Sequence, residues 1–185
     1  MTGRYRSSRD RGISKKSVFL GLCLGLLVFL AAVLQTGDRI RIFGMAPAIT
    51  FALVCAVGFI CGKRMGAVIG IFAAVVTDAL GASGATLTIL LYFLCGYLCG
   101  AMAGWFLSTN LLSFIVYSAI TGLVRAGVTL LYITLHSDGY ALGDAIMGLI
   151  LPEYFAYILC VIPAYFAVLG INKLFNLKDK KDYRV

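Results

Sequence analysis

Long runs of apolar residues, separated by short polar segments, dominate the sequence and constrain what it can fold into. Of the 185 residues, 61% are hydrophobic and 13% are charged, whereas about a quarter of the residues in a typical soluble domain are charged. A soluble fold could not bury this much apolar surface, so we expect an integral membrane protein. The apolar runs favour an all-α fold, because a membrane barrel would show strands of roughly ten residues with alternating polarity.

Six of the apolar runs are predicted to be transmembrane helices. Residues 1–17 form a basic cytoplasmic tail, and residues 176–185 form a charged cytoplasmic tail. The helices belong to one membrane domain, which covers residues 18–175. They are expected at residues 18–35, 45–60, 65–80, 86–107, 111–135 and 152–173.

The distribution of basic residues predicts the orientation of these helices. With six helices and the N-terminus inside, 13 of the 16 Lys and Arg residues fall in inner segments, and the outer loops hold only Arg39 and Arg41. Basic loops are retained on the cytoplasmic side of a membrane, so both termini are predicted to be cytoplasmic. The same distribution favours flanking charge over a nucleic-acid-binding tail, and no nucleic-acid partner is expected.

A stripe of small residues runs along the third predicted helix, and a second stripe runs along the fourth. Positions four apart share one face of a helix, and small residues allow two helix backbones to approach closely in a membrane. We therefore expect the two helices to pack on each other, with a face kept for a partner protein as the alternative. The packing residues are Gly66, Gly70 and Ala74 in the third helix and Gly96, Gly100 and Gly104 in the fourth.

Three ionisable residues, Asp78, Arg125 and Glu153, lie in or near the predicted membrane region. A helix rises about 1.5 Å per residue, which places Asp78 roughly 20 Å and Arg125 roughly 21 Å from the inner ends of their helices. An intramembrane charge costs roughly 2.5–3.5 kcal/mol on insertion scales, so we expect Asp78 and Arg125 to pair. Glu153 suits the positive end of the last helix and can also reach Arg125. The cluster is either a structural ion pair or a site for a proton, an ion or a substrate.

The sequence shows no signature of a catalytic or cofactor site. Residues 81–86 are rich in glycine but lack the spacing and the lysine of a phosphate-binding loop. His136 is the single histidine and is expected in a loop, which argues against a His-dependent metal site or catalytic triad. The six cysteines lie in or beside apolar runs and are interpreted as small buried hydrophobes. A non-enzymatic protein without a cofactor is therefore expected.

Four residues form an ordered pattern along the chain. Gln35 ends the first helix, Pro47 begins the second twelve residues later, and Asp78 follows Pro47 by 31 residues. Pro152 opens the last helix, which contains a second proline at position 163. In order and spacing these residues resemble the MreD family of rod shape-determining proteins. The third helix departs from the family at Ala74, where glycine is common, and Arg125 matches no family motif.

The resemblance implies a scaffold protein in the rod complex, or elongasome, of the bacterial plasma membrane. Members of the family bind MreC and help to couple MreB filaments to the peptidoglycan synthases of the side wall, and thereby regulate cell shape. Their fold is similar to that of the substrate-binding subunits of energy-coupling-factor vitamin transporters, which gives the alternative function. A vitamin-binding subunit should have a polar or aromatic pocket on its outer side. Because the outer loops are short and hold few ligand-like groups, the scaffold is the favoured function.

Overall fold

A computed structural model describes residues 15–37, 42, 44, 46–80, 87–105, 110–136, 143 and 146–181 of the protein. These residues are almost entirely helical, and they form six α-helices together with one five-residue π-helix. The α-helices are α1 Lys15–Thr36, α2 Ile49–Cys61, α3 Lys63–Ala79, α4 Leu87–Trp105, α5 Leu111–His136 and α6 Leu151–Lys181. The π-helix, Ile146–Ile150, leads directly into α6.

Each predicted helix has a counterpart in the structure, although some ends differ. Helix α2 begins at Ile49, four residues later than expected, and residues 46–48 before it are not helical. Helix α6 continues to Lys181, eight residues beyond the predicted end at Lys173. Its last eight residues contain neither glycine nor proline, so nothing in them stops the helix. His136 is the last residue of α5 and does not lie in a loop.

Three helical segments are long and apolar enough to cross a bilayer, whose hydrocarbon core requires about 20 residues. They are Val18–Thr36, Leu111–Leu135 and Ile146–Phe175. The segments Ile49–Cys61 and Thr88–Ala103 are apolar but shorter. The described chain is therefore helical with three candidate spans, and the six-span topology stays a prediction.

Helix α2 occupies the centre of the bundle. All of its residues from 50 to 59 are buried, and it contacts α1, α3, α4, α5 and α6. A helix that is covered on every side must be apolar all round, as the sequence of α2 is. The other helices are arranged around it, with the most extensive helix contact of the structure between α3 and α4.

Glycine residues determine how closely α2, α3 and α4 approach one another. A Cβ atom on Gly66 would overlap the carbonyl oxygen of Gly96, and a Cβ on Gly96 would overlap the carbonyl oxygen of Gly66. On Gly70 it would lie 2.6 Å from the carbonyl oxygen of Tyr92, and on Gly100 it would lie 2.8 Å from that of Gly58. Backbone atoms cannot move aside as a flexible side chain can, so larger residues at these positions would push the helices apart.

The structure thus places four of the six predicted packing residues, Gly66, Gly70, Gly96 and Gly100, between helices and not on an outer face. Ala74 is fully buried. Gly104 lies in α4, and its surroundings are outside the described residues. Gly58 in α2 belongs to the same contact, since a Cβ there would also overlap the backbone of Gly96.

A single glycine turns the chain from α2 into α3. Gly62 has a φ of +93°, a left-handed conformation that favours glycine. Its N–H donates to the carbonyl of Gly58, and its own carbonyl accepts from the N–H of Gly66, both at 3.0 Å. This turn brings Gly58 and Gly66 together, and both then face α4.

The start of α2 is capped by a side chain from α1. Gln35 Oε1 accepts a hydrogen bond from the Thr50 N–H at 3.1 Å and another from Thr50 Oγ1 at 2.9 Å. The first N–H groups of a helix have no partner within it, and Ala48 at the N-cap supplies no side-chain bond. Pro47, which is fully buried, immediately precedes this junction. Two positions of the family pattern, Gln35 and Pro47, therefore lie at the junction between α1 and α2.

We predict that Gly100→Leu destabilises the isolated protein, because the leucine would meet the backbone of Gly58 and Lys63. The expected loss is about 3 kcal/mol or more, at the upper end for overpacking. Thermal unfolding in detergent measures it. The matched control is Gly127→Leu, at a position with open space around it, which should remain as stable as the wild type. If Gly100→Leu left the monomer stable and abolished only complex formation, the glycine face would belong to a partner.

Gln35→Leu should remove the acceptor that caps α2 and lower the stability by about 0.5–2 kcal/mol, the range of lost helix caps. Gln35→Glu is the matched control, because it keeps a side-chain oxygen, and a carboxylate suits a helix N-terminus. Chemical unfolding in detergent compares the two variants. Equal stabilities would show that the hydrogen bonds to Thr50 contribute nothing.

Candidate functional site

Arg125 lies in the middle of α5 and forms an ion pair with α6. Its Nη2 donates to Glu153 Oε1 at 2.7 Å, the length of a charge-assisted hydrogen bond. The two side chains are 23% and 21% exposed, so the ion pair is mostly buried. Glu153 stands in the first turn of α6, where the helix dipole also stabilises a negative charge. Pro152 lies in that same turn, directly after the π-helix.

Arg125 makes a second contact with the central helix. Its guanidinium carbon lies 5.6 Å from the ring centroid of Phe51, over the ring. A cation in this position is attracted by the negative face of the aromatic ring. Phe51 is fully buried in α2. One arginine therefore connects α5 to both α6 and α2.

Phe51 is the centre of an aromatic cluster with members from three helices. Its ring centroid is 5.2 Å from that of Tyr92 in α4 and 5.7 Å from that of Tyr157 in α6. Side chains of α2, α4 and α6 therefore meet at one buried ring.

The sequence offers Asp78 and Glu153 as partners of Arg125. The ion pair of Arg125 is with Glu153, the second partner considered. The helical rise gives the depth of a residue but not the direction in which its helix faces. In the described structure α5 is a neighbour of α6 and not of α3, which favours a partner on α6. Asp78 is half-buried near the end of α3.

Two tyrosines of α6 extend the contact between α5 and α6. Tyr154 donates its hydroxyl to the carbonyl of Ala119 at 3.2 Å, and Tyr157 donates to that of Ser118 at 3.0 Å. Gly122 makes room for them, because a Cβ there would lie 2.5 Å from the Tyr157 ring. Sequence reasoning missed these residues as parts of the site. Their spacing could have indicated this role, because Tyr154 and Tyr157 follow Glu153 directly and lie about one helical turn apart.

A small cavity adjoins the ion pair. Its volume is about 10 Å³, which is close to the space that one water molecule needs. Arg125, Glu153, Thr129 and Tyr154 are among the residues that line it, so a water there would find hydrogen-bond partners. A small organic ligand requires a pocket of roughly 300 Å³ or more. This cavity is therefore suited to a water or a proton and is too small for a substrate.

The cysteines show no arrangement for metal binding within the described residues, where no three His, Cys, Asp or Glu side chains are grouped around a common point. Cys55, Cys95, Cys99 and Cys160 are buried, and all six thiols are free. The Cys55 sulfur lies 3.6 Å from Thr121 Oγ1, so it contributes to the polar contacts between α2 and α5.

Comparison with known proteins leaves the family open. No protein-family model, no curated protein and no solved structure matches the chain. What the charge cluster can do is therefore argued from its geometry: it joins α2, α5 and α6, and it provides a small polar space in an apolar setting.

The ion pair predicts a specific energetic coupling. Glu153→Gln should destabilise the protein by about 2 kcal/mol, less than the roughly 3–5 kcal/mol of a fully buried pair, because both side chains are about one-fifth exposed. A double-mutant cycle of Arg125→Gln with Glu153→Gln, measured by unfolding in detergent, should give a coupling of at least about 1 kcal/mol. The matched cycle of Arg125→Gln with Asp78→Asn should give a coupling near zero. The reverse order of the two couplings would contradict the assigned pairing.

Proposed function

We propose that the protein is a non-enzymatic scaffold of the bacterial rod complex, as its resemblance to the MreD family implies. In this function it is a multi-pass protein of the bacterial plasma membrane and binds an MreC-like protein. Through that partner it helps to couple MreB filaments to the side-wall peptidoglycan synthases. The observation that carries the proposal is that, among the described residues, side chains of the bundle itself fill the interior, whereas the outside carries large apolar surfaces.

Aromatic rings fill much of the interior. Phe59 of α2 lies 5.3 Å from Phe114 of α5, and Phe114 lies 5.1 Å from Tyr165 of α6, between ring centroids. Near the start of α2, Phe51 contacts Tyr157 of α6. Rings packed in this way stabilise contacts between helices. A protein whose interior is occupied by such contacts is suited to act through its outer surfaces.

The outer surfaces carry apolar side chains that a membrane helix of a partner could contact. On α5 an exposed stripe follows the helical repeat of three to four residues, and α5 lies at the periphery of the described bundle. Such a stripe can pack against a single-span helix through van der Waals contacts. Its members are Leu112, Val116, Ile120 and Leu123. Gly96 and Gly100 are used inside the bundle, so we infer that the partner meets an exposed apolar face such as this stripe.

The alternative, a vitamin-binding subunit, is favoured by one observation. Phe51, Tyr92, Tyr157 and the Arg125–Glu153 pair are aromatic and polar groups of the type expected in such a pocket. The cavity beside them, at about 10 Å³, is far smaller than a vitamin requires. The scaffold remains the better supported function.

A pull-down distinguishes the two functions. The tagged protein, co-expressed with an MreC-like single-span protein and extracted in mild detergent, should copurify with it in a stoichiometric complex. An unrelated single-span protein of the same length serves as the control and should be absent. A photocrosslinker at Ile120 tests whether the stripe on α5 makes the contact. If no MreC-like protein were retained and a vitamin were found by mass spectrometry, the scaffold function would be wrong.

A further inference from the structure

An apolar groove of about 500 Å³ runs along the outside of the bundle between α1 and α3. We name it the α1/α3 groove. Its lining is entirely apolar, and two glycines of α1, Gly21 and Gly25, contribute to it. It extends from Val18 to Phe29 on α1 and from Met65 to Phe72 on α3.

The two glycines in the groove are not required by helix packing. A Cβ on Gly21 would lie 3.5 Å from the end of the Met65 side chain, and one on Gly25 would lie 3.8 Å from the Phe72 ring. Both are ordinary van der Waals distances. The glycines between α3 and α4 differ, because a Cβ on Gly66 would overlap backbone atoms. Glycine at positions 21 and 25 therefore leaves the groove open and does not bring helices together.

The length of the groove matches one leaflet of a bilayer. Along α1 it extends from Val18 to Phe29, about 16 Å at 1.5 Å per residue. Half of a hydrocarbon core is about 15 Å, and a transmembrane helix needs about 30 Å of surface. The groove begins where α1 and α3 begin, at the end that the positive-inside rule assigns to the cytoplasm. It therefore fits an acyl chain of the inner leaflet better than it fits a spanning helix.

Basic residues stand at the starts of the two helices that form the groove. Lys63 and Arg64 are exposed and immediately precede Met65, and Lys15 and Lys16 open α1. Neither α1 nor α3 has an acidic residue in its first turn. Basic groups at the cytoplasmic surface attract anionic lipid headgroups. An apolar chain attached to a negative headgroup would match both parts of this surface.

We propose that the α1/α3 groove binds one acyl chain of an anionic phospholipid of the inner leaflet. The phosphate of this lipid is attracted by the exposed Lys63 and Arg64 at the start of α3, and its chain lies over Gly21 and Gly25. The lipid thereby covers the open seam between α1 and α3. This site is separate from the scaffold function and does not depend on it.

Native mass spectrometry tests the proposal on the full-length protein. Released from vesicles of equal parts phosphatidylglycerol and phosphatidylethanolamine, the wild type should retain one phosphatidylglycerol in preference. Gly25→Leu should fill the groove and abolish this retention. Gly127→Leu, the same change at an open position on α5, should retain the lipid as the wild type does. Lys63→Gln with Arg64→Gln leaves the groove intact and should weaken the preference by about fivefold for each charge removed.

Several results would overturn the proposal. Equal retention of the two lipids would show that charge is not recognised, and retention by Gly25→Leu would show that the chain lies elsewhere. A dimer in the wild type that Gly25→Leu converts to a monomer would assign the groove to a helix of a second copy. If Gly25→Leu failed to fold, the double variant at Lys63 and Arg64 would decide alone, and an unchanged preference in it would refute the site.

Discussion

The close approach of backbone to backbone at Gly58, Gly66 and Gly96 is the constraint on which the rest of the bundle depends. In a bilayer, apolar side chains gain little from leaving the lipid for a protein interior, so helices associate through dense packing and polar contacts. Glycine provides that density by letting α2, α3 and α4 touch along their backbones. The one-residue turn at Gly62 contributes because it places α3 directly beside α2. As a result α2 is enclosed, and its side chains become the interior against which the later helices pack.

The charge cluster is a consequence of that enclosure. Because α2 is held in the centre, Phe51 presents its ring to Arg125 while it packs on Tyr92 and Tyr157. The arginine then needs a counter-charge from an adjacent helix, and α6 provides it through Glu153. A cation that contacts both an aromatic ring and a carboxylate fixes the rotation of α5 as well as its depth. The cluster thus fixes how α5 and α6 pack on α2. The small cavity beside it has room for one water molecule.

Much of the fold could be predicted from the sequence. Apolar runs indicate where the helices are, and the spacing of small residues indicates which faces pack together. Gly66 and Gly96 were identified in this way. For Arg125 two partners, Asp78 and Glu153, remain open at the level of the sequence, because spacing gives depth along a helix and leaves open which helices are neighbours. Gly58 and Phe51 gave no signal in an apolar helix, where every residue is a candidate for burial. The hydrogen bonds of Gln35 to Thr50 join residues across a loop, which periodicity within one helix does not reveal.

The central position of α2 also bears on the order in which the bundle is assembled. This helix has 13 residues and spans only about 20 Å, and one of its principal neighbours, α6, is synthesised last. During synthesis α1, α3 and α4 can cover one side of α2. The side that contacts α6 stays uncovered until α6 has been synthesised. Completion of the core is therefore a late event in biogenesis, and a chain that stopped before α6 would leave the most apolar helix open to the membrane.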